Sequence, residues 1–226
     1  MVEIGTVMAD VFHLSLQQLV LRLTFVPVVV AGIVGLVRFR RLPLNLRYLT
    51  LLIAFVLPLN VLGYVLMVQR HNNLFLMPVY SVGEFGLLAL VYRHTLHSPA
   101  FSRIMPWLVT GFGAYALFDT LMKGAVSQFR PGQQVVQGLL VLLLVGLYFR
   151  KLLRDLHIKH LRREPMFWVS AGLLIYFLGY LQIAIFSNYL LRYSQQLNAN
   201  VWMVHSLLFI VLYCCYGQAL WLTRQK

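Results

Sequence analysis

Residues Leu139–Tyr148 read Leu-Leu-Val-Leu-Leu-Leu-Val-Gly-Leu-Tyr, apolar on every side of a helix. A helix on the surface of a water-soluble protein keeps a polar stripe toward solvent. This stretch has none, so its solvent is hydrocarbon. It is the centre of a longer run, Gln134–Phe149, and six others resemble it: Ser15–Val37, Tyr48–Val68, Leu74–Tyr92, Ile104–Met122, Met166–Leu190 and Val201–Leu222. Crossing about 30 Å of hydrocarbon at 1.5 Å per residue takes about 20 apolar residues. The runs are continuous rather than alternating and exceed the length of a barrel strand, which selects helices. The expected fold is all-α: a polytopic membrane protein with seven transmembrane helices in one domain, residues 1–226.

Composition agrees. Of 226 residues, 60% are hydrophobic and 11% charged, and the mean hydropathy is +0.77. The net charge of +13 would suggest nucleic acid in a soluble protein, but the positions of the charges explain it without one. Arg38, Arg40, Arg41, Arg47, Arg93, Arg103, Arg150, Lys151, Arg154, Lys159, Arg162, Arg163, Arg224 and Lys226 all fall on one side of a seven-crossing chain. Arg70, Lys123, Arg130 and Arg192 fall on the other, with Arg22 inside the first run. Positive loops stay cytoplasmic, which places the N-terminus outside and the C-terminus in the cytoplasm of a bacterial inner membrane. Membrane lipids, anionic ones at the cytoplasmic face, are the expected partners. No cleavable signal peptide is expected, since the first ten residues carry Glu3 and Asp10 and no Lys or Arg. Cys214 and Cys215 are adjacent in the seventh run, poorly placed for an unstrained disulfide, and read as small apolar side chains.

Connections are short, and prolines punctuate them at Pro43, Pro78, Pro99, Pro106, Pro131 and Pro165. Pro27 and Pro58 lie inside runs and predict kinks. No internal repeat supports a two-half transporter architecture.

Ionisable and amide side chains inside the runs carry the functional question, because each is costly in hydrocarbon. Glu84 sits about 14 Å into the third run, near the midplane, with Tyr80 one turn before it and no basic residue on its own helix. Asp119 precedes Lys123 by one turn, and an i,i+4 pair satisfies both at the outer interface. Arg22 either snorkels outward or turns in to neutralise Glu84 or Asp119. Asn60, Gln137, Gln182, Asn188 and His205 lie between the midplane and the outer surface, joined by Tyr64, Tyr80, Tyr115, Tyr180 and Trp202. Crossing direction alternates, so this shared depth is not imposed by chain order. A layer of aromatics with a few polar anchors suits a small-ligand pocket. The same residues also suit a packing network of interhelical hydrogen bonds, or ion and proton handling through Glu84.

Catalytic patterns are mostly missing. The seventh run holds no lysine for a retinal Schiff base, and no nucleophile elbow or paired acidic motif occurs. His94 and His97, with His157 and His160, form two H-x-x-H pairs in cytoplasmic connections. Four histidines are weak candidates for a metal, so no metal, no cofactor and no catalytic residue is assigned, and the reading leans away from an enzyme.

The stretch from Asn72 and Asn73 through Tyr80 to Glu84 and Phe85 is similar to poorly characterised bacterial seven-helix proteins, some of which resemble the membrane sensor region ahead of histidine kinases. Phe167-Trp168 with Gly172, Tyr176 and Gly179, and Trp202 with His205, fit the same pattern. The resemblance implies a receptor-like input module with Glu84 and His205 in its sensing site. No kinase follows before Lys226, so a separate cytoplasmic signalling protein is the expected partner. The expected ligand contacts are Glu84, His205, Asn60, Gln182, Tyr80, Asp119, Arg22 and Trp202. A small proton-coupled transporter using Glu84 is the alternative, and a structural subunit stays open.

Overall fold

The computed structural model describes residues 19–20, 23–73, 75–122, 131–155, 161–193 and 195–222, and the side chains of these residues other than 131, 155 and 186–199. Every regular element among them is helical. The helices are α1 (Phe25–Arg38), α2 (Leu44–Val68), α3 (Leu76–Leu96), α4 (Pro99–Met122), α5 (Pro131–Asp155), α6 (Pro165–Tyr193) and α7 (Gln195–Leu222), with single 3₁₀ turns at Phe39–Arg41 and Leu161–Arg163.

Local chemistry explains the boundaries. Pro99, Pro131 and Pro165 are the first residues of α4, α5 and α6, where a missing N–H costs nothing. His97 ends α3 in the left-handed conformation, φ 50°, two residues before Pro99 starts the next helix. Because α4 begins at Pro99, Pro106 lies inside the helix rather than at its edge. Pro58 is inside α2, as its position predicts.

Five of the helices are long and apolar enough to cross a membrane: α2, α4, and the segments Gly132–Arg154, Pro165–Ile185 and Asn200–Leu222 of α5, α6 and α7. The other two expected spans differ for separate reasons. α1 is described over 14 residues. α3 has 21, but Tyr80, Ser81 and Glu84 and two glycines dilute its apolar character.

Packing closes six helices into a ring: α1 beside α2, α2 beside α3, α3 beside α5, α5 beside α6, α6 beside α7, and α7 back against α1. α4 stands outside the ring, packed mainly on α3. Large apolar side chains face outward on several helices, among them Val30, Ile33, Leu117, Phe118, Leu121, Leu143 and Ile185, which water would not tolerate over such an area. Small residues let the helices approach. A Cβ placed on Gly172 of α6 would lie 2.8 Å from the Cβ of Cys215 on α7, so only glycine fits there. Cys215 is thus a packing residue, while Cys214 faces the outside of the bundle.

The ring is solid in one half and hollow in the other. Toward the basic end, Leu46, Leu49, Ile53, Leu88, Leu144, Val145, Leu173, Tyr213 and Tyr216 are sealed from solvent. Two basic residues lock this end together. Arg38 donates from Nη1 to the carbonyl oxygens of Trp221 at 2.5 Å and Leu220 at 3.4 Å, with its guanidinium 4.6 Å from the Trp221 ring centre. Lys151 donates from Nζ to the carbonyls of Thr95 at 2.9 Å and Leu96 at 3.1 Å. Both satisfy the open carbonyls of a helix C-terminus and complement its dipole. These charges therefore hold α1 to α7 and α5 to α3. Arg38→Ala is expected to lower stability by about 1 kcal/mol, read as a lower Tm in detergent. An unchanged Tm would leave Arg38 with a topological role only.

Candidate functional site

The hollow half contains a cavity of about 580 Å³, lined by residues of all six ring helices and none of α4. That volume suits a small organic ligand. Alternating helix direction brings together the beginnings of α1, α3, α5 and α7 and the far portions of α2 and α6, all at the end opposite the basic residues.

Glu84 is 4% exposed and lines the cavity from α3. Gln137 of α5 donates to it, Nε2 to Oε2, at 2.6 Å. One turn earlier on α5, Gln134 shares the same face. Its Nε2 lies 3.7 Å from the Met77 sulfur, and its Oε1 is buried with no hydrogen-bond partner. Across the cavity, His205 of α7 shares a hydrogen bond with Tyr176 of α6, Nε2 to Oη at 3.1 Å. The imidazole is wedged among three rings, with centroids at 5.7 Å for Tyr176, 5.1 Å for Tyr180 and 5.5 Å for Trp202. Tyr176 and Tyr180, one turn apart, lie nearly parallel with centroids 5.7 Å apart. Asn60 and Tyr64 line the wall contributed by α2. Asn73 also lines it and ties the α2–α3 connection down by donating to the Gly63 carbonyl at 3.2 Å. Toward the solid half, the Tyr216 hydroxyl is buried without a hydrogen-bond partner.

Of the residues singled out from sequence, Glu84, His205, Asn60, Tyr80 and Trp202 surround this one cavity. Gln182 is exposed on α6 and does not line it. Asp119 sits elsewhere, buried between α4 and α5, where Gln133 Nε2 donates to its Oδ2 at 2.9 Å. Arg22 and Lys123 lie outside the described residues, and the Asn188 side chain does as well. Among the histidine pairs, His94 stacks on Tyr48 with centroids 5.3 Å apart, His97 is exposed, and His157 and His160 lie outside the described residues. Among the described residues no three His, Cys, Asp or Glu side chains gather as a metal site would require.

Sequence reasoning passed over Tyr176 and Gln134 as site residues. Each was accessible from helical spacing: Tyr176 lies four residues before Tyr180, and Gln134 three before Gln137. Chemically, the cavity offers a carboxylate, amide groups and an imidazole set in aromatic walls. Such groups can hold and orient a small molecule through hydrogen bonds and aromatic contacts. No family model, curated protein or solved structure matches the chain.

Proposed function

We propose that this protein is a receptor-like membrane sensor module of the bacterial inner membrane, crossing it seven times with the N-terminus outside. A small ligand enters the outer half of the bundle and binds between Glu84 on α3 and His205 on α7. The observation carrying this reading is the cavity itself: six helices enclose it, and their polar side chains converge on it at the end opposite the basic residues. Binding affects signalling only by favouring one of two bundle states. The His205–Tyr176 contact joins α7 to α6 at the cavity, and the Arg38–Trp221 contact joins α7 to α1 at the basic end. Movement of α7 is therefore coupled to the basic surface, where anionic lipid or a cytoplasmic signalling partner docks.

The test compares native protein with Ser81→Phe, which fills the cavity from a buried position on its wall. Native mass spectrometry after mild solubilisation is expected to show a bound non-lipid mass in the native protein and none in the variant. Amide exchange at residues 150–163 is expected to differ between the two. Identical masses and identical exchange would overturn the reading.

A second reading, a proton-coupled transporter, draws on the buried, unpartnered hydroxyls of Tyr216 and Tyr148, which invite water between Glu84 and the basic end. Solute or proton flux into liposomes that disappears in Glu84→Gln favours it; no flux under any gradient removes it.

A further inference from the structure

We infer that the cavity takes an organic ammonium, a protonated amine with an aromatic or aliphatic body, and that Glu84 is its counter-ion. The inference rests on the ligand-binding reading above and names the class of ligand.

Charge gives the first argument. Among the described lining residues, Glu84 is the one carboxylate, and neither Lys nor Arg contributes. Its described hydrogen-bond donor is the neutral amide of Gln137, which leaves the charge uncompensated. A carboxylate in so apolar a place is stabilised most by a cation that arrives without water. A ligand carboxylate or phosphate would meet like charge instead.

Hydrogen-bond polarity gives the second, independently. The Gln134 Oε1 is an acceptor, is buried, and has no donor. Glu84 is also an acceptor, and its described bond from Gln137 reaches Oε2, leaving the carboxylate further acceptor capacity. Both therefore call for donors, and an ammonium group supplies two or three N–H groups with no lone pair to oppose them. A buried acceptor left unmet costs about 1–3 kcal/mol, so a ligand offering only acceptors is disfavoured at the same point.

The walls supply the third. Tyr80, Tyr176, Tyr180 and Trp202 line the cavity. Aromatic faces attract cations through their quadrupoles and also bury the apolar body of a ligand. Neither an inorganic cation, which needs several oxygen ligands, nor a neutral hydrocarbon, which needs no carboxylate, uses all three features.

Three probes of one shape test this on the full chain in nanodiscs of neutral lipid: 2-phenylethylammonium, its uncharged isostere propylbenzene, and the anion 3-phenylpropanoate. The ammonium is expected to raise the Tm and to bind at least tenfold tighter than propylbenzene, with no binding of the anion. Glu84→Gln keeps an acceptor for Gln137 and is expected to lower ammonium affinity at least tenfold while leaving propylbenzene affinity unchanged. Tyr180→Leu is expected to weaken the ammonium more than propylbenzene. Equal binding of ammonium and propylbenzene, or tighter binding of the anion, overturns the ammonium inference and leaves the pocket reading in place. Failure of all three probes to bind, with Ser81→Phe indistinguishable from native protein in mass and exchange, overturns both.

Discussion

Gly172→Ala is expected to lower the stability of the bundle by about 2 kcal/mol, within the range for overpacking a tight contact, and Cys215→Gly is expected to restore most of it. The added methyl would sit 2.8 Å from the Cys215 Cβ and 3.4 Å from Leu212 Cδ1. A Cβ has no rotamer through which to escape, so α6 and α7 must separate instead. In the double variant the methyl has changed helices and the seam closes again. Gly111→Ala on α4 is the control: nothing lies within 4 Å of a Cβ there, and alanine's better helix propensity makes it neutral to stabilising. Reversible unfolding of the four proteins in detergent gives the comparison. A Gly172→Ala protein with native stability would mean that the α6–α7 seam is looser than its geometry. The seam matters for the cavity because Tyr176, one turn beyond Gly172, carries the contact to His205. A helix separation at residue 172 thus moves one wall of the cavity.

The helices were legible from sequence because hydrocarbon imposes a continuous apolar run on any helix that crosses it, as Leu139–Tyr148 shows. Rise per residue and alternating direction also account for Asn60, Glu84 and His205 reaching one cavity from three helices. Depth does not set rotation. Gln182 lies two residues after Tyr180 and so points about 200° away around α6; Tyr180 lines the cavity and Gln182 is exposed. Helix order is equally silent in a single sequence. Asp119 has a depth compatible with the site, but α5 rather than α4 is the ring neighbour of α3, and Asp119 pairs with Gln133 outside the cavity. Tyrosines are ambiguous for a different reason. Tyr92 shares a hydrogen bond with Ser170 at 2.8 Å, while Tyr216 buries a hydroxyl with no partner, and the two are indistinguishable by residue type. Arg38 and Lys151, counted from sequence as topology signals, also cap helix C-termini, which needs the third dimension to see.

Gln137→Leu is expected to lower stability by about 2 kcal/mol, the usual scale for losing a hydrogen bond to a charged group, because it strands the Glu84 carboxylate without its described donor. The double variant Glu84→Leu/Gln137→Leu is expected to be at least as stable as the native protein. Removing the carboxylate relieves the desolvation cost of a buried charge, and replacing both partners of a buried polar pair by apolar groups is nearly neutral or better. Unfolding of the native protein, both single variants and the double variant gives the coupling between the two residues. This cycle separates a packing network from a binding site. In a network, the pair holds α3 to α5, and the double variant is weaker than native protein. In a binding site, the pair is a burden on the fold that persists for what it binds, so the double variant gains stability and loses the ligand. Gln134, one turn from Gln137 on the same cavity wall, already points to the second outcome: its Oε1 is buried without a donor, an arrangement that weakens a network and that an incoming N–H group completes.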